Sequence, residues 1–515
     1  MVDRDHPVWR LWRGTRMWAE LFQILLVSLL VLSGIHRFML WLGSGLVWNS
    51  ESPAASSENE ICLPGKDCST DQFHRVLIQI PVFNDAHALQ SRLDCLKGLD
   101  YPRSLFQVQI LDDSDDGSAE VNAALVEALV AEGVPITVIH REERTGFKAG
   151  ALAHGMSFSD AEFVAIFDAD FQIPEHFLSQ TIPHFEDSRV GWVQCRWGFA
   201  NRNRNFLTRA QARLLDGHFR IEHQARSHGG RFFNFNGTAG IWRRTAIKAA
   251  GGWSGKTVVE DTDLSLRAWD QGWKGIYRDD IVCDGWLPES FSAFRTQQRR
   301  WLAGGVDLFL KRKSDLSGKP FLTRFDFSAR GLAPLVSVVV VLLAIWAPLR
   351  RIFPDQLGPE PWVFRSLGTP AFEWVFFSFA FIGVLVYYAS TGGGRYSRWL
   401  ESFLVLLLGT GFAFYASLCC FEGILGRVSV FERTPKTAGA TGGRNVTLLE
   451  WAVFPLTAWL IVEVVLIGAW SVLPLISMSF VGLLWSLVGT RSRGIAESSG
   501  STLSSPCRNV GDSVV

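Results

Sequence analysis

Apolar residues fall along this chain in two regimes. From 18 to 48 they run almost without a break, LFQILLVSLLVLSG and then MLWLGSGLVW, interrupted by His36 and Arg37. A bilayer core takes about 20 residues of helix, so this stretch predicts one tilted transmembrane anchor behind a short N-terminal segment, 1–17. From about 72 to 313 the runs shorten to strand length: VLIQIPVF, FQVQILDD, ITVIHR and EFVAIFDAD, separated by helical or turn-rich stretches. Strands alternating with helices predict an α/β domain on a parallel or mixed sheet. Long apolar runs then return across 331–489, at about 331–349, 371–390, 399–424, 447–468 and 470–489, which predicts about five more helices and roughly six spans in all. The Ser- and Gly-rich residues 490–515 read as a disordered tail.

Composition fits this mixture. The chain is 48% hydrophobic and 13% aromatic with 19% charged residues, too oily for a wholly soluble enzyme and too charged for a bare membrane bundle. Lys plus Arg equals Asp plus Glu at 50 each, which gives no indication of a nucleic-acid partner. The eight cysteines show no zinc spacing and read as packing residues. Cys62 and Cys68 would pair only in an oxidising compartment. The first apolar segment lacks a small-residue cleavage site and is expected to stay as an anchor. Arg4, Arg10, Arg13 and Arg16 favour a cytoplasmic N-terminus, whereas Lys311, Arg312, Lys313 and Arg324 pull the far end of the α/β domain inward. Charge alone leaves the side faced by that domain open.

The strand ends carry the candidate chemistry, because ligands of open α/β sheets bind at the carboxyl ends of strands. Asp168-Ala169-Asp170 follows EFVAIF, so two carboxylates leave a buried strand together, a donor set suited to Mg²⁺ or Mn²⁺ completed by a diphosphate. Taken alone, such a tripeptide is more often a plain acidic turn. Asp112 and Asp113 end FQVQIL, able to bind a nucleobase or ribose or simply to cap the next helix. Lys148, within TGFKAG at a predicted helix start, suits a diphosphate. Glu260 and Asp261 open the helix-like TDLSLRAWDQGW; Asp261 is placed to act as a general base or merely to cap. Gln297, Arg300 and Trp301 in QQRRW combine a phosphate partner with a flat face for a sugar, or else anchor a membrane interface.

In this order and spacing, over residues 74 to 302, these elements resemble the processive branch of glycosyltransferase family 2, which includes cellulose, chitin, hyaluronan and mannan synthases. The runs QCRWGF (194–199), FNGTAGIWRR (235–244), AGGW (250–253) and VEDTDLSLRA (259–268) look closest to plant cellulose-synthase-like mannan and glucomannan synthases and their bacterial relatives. The resemblance implies a type A glycosyltransferase domain, with a Rossmann-like mixed sheet, inserted between transmembrane helices. It also implies roles: Asp112 and Asp113 at the nucleoside, Lys148 and Arg300 at the diphosphate, Asp168 and Asp170 at a metal, and Asp261 as base with Glu260 beside it. Gln297 and Trp301, with Asn236, Gly237 and Thr238, would line the acceptor. Val259 stands where many members have threonine, leaving the acid pair intact.

The implied protein is a multi-pass enzyme of a plasma or Golgi membrane. It would build a β-linked polymer by inversion from GDP-mannose, or from UDP-glucose as second choice, on a growing glycan; an oligomer is possible. One alternative is a single transfer to a lipid, which shares the donor site. A transporter or binding scaffold is the other, to which Glu373, Glu422 and Glu463 would belong.

Overall fold

The structure, a computed structural model, describes residues 7–48, 74–85, 89–90, 92–313, 318–353, 382–428, 448–466 and 473–491. Arg4, Cys62, Cys68, Glu373, most of the 371–390 run and the tail beyond 491 lie outside the described residues.

Seven strands form one mixed sheet: β1 (Val76–Val82), β2 (Phe106–Asp112), β3 (Ile136–His140), β4 (Phe163–Ile166), β5 (Val190–Phe199), β6 (Gly240–Arg243) and β7 (Lys274–Gly285), in the order β3-β2-β1-β4-β6-β5-β7. The four strands expected from the apolar runs make the parallel half. β6 is antiparallel to both of its neighbours, β4 and β5. β1 and β4 are buried on both faces and so read as nearly continuous apolar runs rather than alternating ones. The chain winds outward from β1 through β2 to β3, then returns to lay β4 on the other side of β1. That reversal opens a crevice at the carboxyl ends of β1 and β4.

Helices deliver residues to this crevice. After α1 (Pro7–Trp48) and α2 (Ser118–Ala131), α3 (Phe147–Met156) starts at Gly146, whose φ of +75° suits a residue without Cβ. α4 (Phe206–Asp216) is closed by an Asn205/Thr208 capping box and runs on into a π-helical turn, Gly217–His223. α5 (Glu260–Asp270) begins at the acid pair, and α6 (Phe291–Arg312) carries QQRRW in its first half.

α1 is continuous over 42 residues, beginning well before the expected anchor, with a Pro at its start where no donor is lost. Within it Leu21–Gly45 is long and apolar enough to cross a membrane, and so is Tyr396–Ile424 within α9 (Arg395–Ile424). α7 (Phe321–Leu332) and α8 (Leu335–Ile352) make a pair bent by 59°, counting as a third span if they cross together. Roughly six spans were expected; among the described residues two helices meet the length and composition of a span, or three with the bent pair. α10 (Leu448–Leu466) and α11 (Leu473–Arg491) pack on this group. α9 and α11 meet backbone to backbone at Gly411 and Gly482, where a Cβ on either would fall about 2 Å from the other helix.

The α/β domain is tied to these helices by ion pairs, most of them buried. Glu401 on α9 accepts hydrogen bonds from Arg213 Nε (3.0 Å), Arg213 Nη2 (2.6 Å) and Arg202 Nη2 (2.6 Å). Arg295 pairs with Glu450 at 2.6 Å and Arg299 with Glu422 at 2.6 Å. Removing one member of such a cluster strands the other in an apolar setting. Glu401→Gln is therefore expected to cost about 3–5 kcal/mol, read as a clear fall in the unfolding temperature of the detergent-purified protein; an unchanged melt contradicts this account.

Candidate functional site

A cavity of ≈ 580 Å³ opens at the crevice. Asp113, Lys148, Asp168, Asp170, Asn236, Gly237, Glu260, Asp261, Gln297, Arg300 and Trp301 all line it. Eleven of the thirteen residues singled out in the sequence therefore share one space, although they come from six separate stretches of chain.

Lys148 is the hub. Its ammonium pairs with Asp168 Oδ1 and donates to Gly237 O at 2.9 Å. Burial opposes its charge, but Asp168, Glu260 and Asp261 outweigh it and hold the pKa above the usual lysine value. Gly237 stands between this ammonium and the acid pair. A Cβ there would sit 2.9 Å from Asp261 Oδ2, and φ is +80°. Asp261, in the first turn of α5, is fixed by the Thr262 N–H at 2.7 Å. Burial first, and then repulsion from Asp261, push Glu260 up to about 7. Burial likewise raises Asp261, with Lys148 and Arg300 pulling it back.

Two expected residues do not reach the cavity. The Asp112 carboxylate is turned into the domain, 1% exposed, accepting from Ser114 N (2.9 Å) and Asn122 Nδ2 (2.8 Å). It shapes the turn after β2, and Asp113 is the member of the pair that lines the cavity. Thr238 is fully buried behind Asp168, its hydroxyl accepting the Asp168 N–H at 2.9 Å. That bond holds the backbone at the start of the Asp168-Ala169-Asp170 turn.

Several partners escaped the sequence reading. His223 Nε2 lies 2.5 Å from Asn236 Oδ1, and Asn236 Nδ2 lies 3.1 Å from His218 Nε2, so two histidines clamp one amide. Burial depresses both histidines, which keeps them neutral. Both sit in the π-helical turn, a feature with no spacing signature. Gln194, inside QCRWGF, accepts the Asn236 N–H at 2.8 Å and donates to the carbonyls of Thr238 and Ala239, holding the whole FNGTA loop. Arg37 also lines the cavity. Its signal was present: an arginine interrupting an apolar span.

Asp168 and Asp170 offer hard carboxylate oxygens inside the cavity, and no group of three or more His, Cys, Asp or Glu converges among the described residues. Two carboxylates suit a Mg²⁺ or Mn²⁺ ion that takes its remaining ligands from phosphate oxygens and water.

Residues 163–415 match the model of the family described as glycosyl transferase family group 2. The chain is 38% identical over 344 residues to glucomannan 4-beta-mannosyltransferase 1 of Oryza sativa subsp. japonica, covering 62% of this chain and 66% of that protein. It is 39% identical over 302 residues to a probable glucomannan 4-beta-mannosyltransferase 7 of the same organism, covering 56% and 51%. The chain thus spans just under two thirds of the first relative's length and about half of the second's. The fold is that of a mannosyltransferase from Pyrobaculum calidifontis solved with GDP-Man and Mn²⁺, at a TM-score of 0.52 and 18% identity, over 78% of this chain and 99% of that one.

Gly237→Ala is expected to remove most of whatever reaction this cleft performs while leaving the thermal melt within a few degrees, because the new methyl presses on Asp261 and not on the core. Full activity in that variant would separate Gly237 from the site.

Proposed function

We propose that this chain, whose residues 163–415 match the model of glycosyl transferase family group 2, is a membrane-embedded hexosyltransferase lengthening a β-linked mannan or glucomannan by inversion. GDP-mannose is the first choice of donor and UDP-glucose the second, in keeping with the names of the rice relatives. The observation that carries the reading is the cavity. The same space that holds Lys148, Asp168, Asp170 and Asp261 continues past Trp301 to Pro334, Tyr387 and Tyr388, beside the apolar helices. A lengthening chain needs such an extended aromatic-lined space, and a multi-pass arrangement of 331–489 with a retained anchor accommodates it.

Chemically, Asp261 takes the proton of an acceptor hydroxyl as that oxygen attacks the anomeric carbon from the face opposite the diphosphate. The bond from that carbon to the diphosphate breaks, and configuration inverts from α to β. Lys148 and Arg300 balance the charge on the departing diphosphate. Mg²⁺ or Mn²⁺, held by Asp168 and Asp170, would supply Lewis-acid charge at those phosphate oxygens. Trp301, whose ring centroid lies 6.4 Å from that of Trp197, offers a face to the acceptor sugar, with Gln297 and Asn236 for its hydroxyls.

The reading is tested by incubating the purified protein with each donor and Mg²⁺ or Mn²⁺, following nucleoside diphosphate release and sizing the product. A metal-dependent polymer degraded by a matching β-glycanase is expected; a single sugar on a lipid would sink the processive part alone. Asp261→Asn is expected to lower turnover about 10²–10⁴-fold, and Asp170→Ala to abolish metal dependence together with transfer. Near-normal rates would remove either residue from its role.

The acid pair also sets a pH profile. Glu260 holds its proton up to about 7, and Asp261, raised by burial, is the member of the pair that serves as base. Falling pH protonates the base; rising pH through about 7 ionises Glu260 and adds a negative charge beside the anionic donor. kcat/KM for the donor should therefore be bell-shaped, and Glu260→Gln should erase the alkaline limb while leaving the acid limb in place. An alkaline limb that persists in Glu260→Gln assigns it to another group.

A further inference from the structure

The loop between β3 and α3 holds two arginines with opposite fates. Arg141 is fully engaged: it forks onto both oxygens of Asp113 and donates to Thr145 O at 2.9 Å and Phe147 O at 3.1 Å. The Arg144 side chain makes no hydrogen bond or ion pair with a described residue, and its Nε is buried without a partner. Its guanidinium carbon lies 3.3 Å from the centroid of the Phe83 ring and 5.3 Å from that of Phe147. Arg144, Phe83 and Asp113 line the cavity together, at the carboxyl ends of β1 and β2. A guanidinium that lines an open cavity and has no acceptor from the protein is available to a ligand that supplies one.

Two aromatic rings hold the guanidinium in place beside the cavity, and a planar guanidinium carries its N–H donors in a fixed fork. The diphosphate is already provided for, since Lys148 is bound to Asp168 at the end of β4. What remains at the β1 and β2 end is the nucleoside. We infer that Arg144, stacked on Phe83, reads the nucleobase of the donor and selects guanine. Guanine presents two adjacent acceptors, N7 and O6, that match the fork; adenine places an N–H₂ donor beside N7. Uracil places its N3–H donor between two carbonyls and offers no such pair. The inference rests on the nucleotide-sugar reading above and deepens it by naming the base.

The test is nucleotide binding to the full-length protein in detergent with Mn²⁺, comparing GDP with UDP for the wild type, Arg144→Ala and Arg144→Lys, so that no transfer step is involved. The wild type is expected to prefer GDP. Both variants are expected to bind GDP roughly tenfold to a hundredfold more weakly, with UDP changed by about threefold or less; Arg144→Lys keeps the charge and loses only the fork. Equal loss of GDP and UDP in Arg144→Ala, restored in Arg144→Lys, would make the residue a diphosphate cation and overturn the inference. A wild type that prefers UDP overturns it while leaving a transferase standing. A wild type that binds neither nucleotide overturns it together with the donor reading.

Discussion

One buried ammonium organises the cleft. Lys148 is held where the carboxylates of Asp168, Glu260 and Asp261 act on it, and a cation taken from water to such a place must be compensated by all of its neighbours. Its contact with Asp168 fixes the end of β4. Its contact with the Gly237 carbonyl fixes the loop that leads into the antiparallel strand β6, and the left-handed backbone at Gly237 and Ala239 is the local cost of that contact. The closeness of Gly237 to Asp261 then leaves no room for a side chain. Glycine, lysine and three carboxylates thus define one another's positions.

A second set of charges joins the α/β domain to the apolar helices. Arg213 with Glu401, Arg295 with Glu450, and Arg226 with Asp326 are each nearly fully buried, and each crosses from one layer to the other. Apolar contacts between helices are directionless, whereas a charge stranded by a slipped register is expensive. The pairs therefore fix how the domain sits on its helices. His36 extends this to the first helix, 2.8 Å from Asp326, and explains why a polar residue interrupts that apolar segment.

Much of the fold was legible in the chain. Four apolar runs, three of them with acidic or amide ends, became β1 to β4, and the motifs at their ends met in one cavity because strand ends in a parallel sheet lie side by side. The antiparallel strand β6 was less visible, since GIWR is short and both of its faces are set by partners far along the chain. Among the site residues, Asp112 and Asp113 looked equivalent in the sequence. One faces inward to Asn122 and the other meets Arg141 because successive side chains on a strand point to opposite sides.

The sequence by itself determined which residue types were present, that a soluble-type α/β unit lies between apolar helices, and that carboxylates and a lysine stand at strand ends and helix starts. Those are properties of local pattern and period. Only the tertiary structure decided that His218 and His223 grip Asn236, that Thr238 stands behind Asp168, that Arg37 reaches the cavity, and that Arg144 is left with its donors unmet while Arg141 is satisfied. Each depends on which side chains arrive from distant elements, and in a closely packed interior that is set by the fold as a whole and has no counterpart in the spacing of residues along the chain.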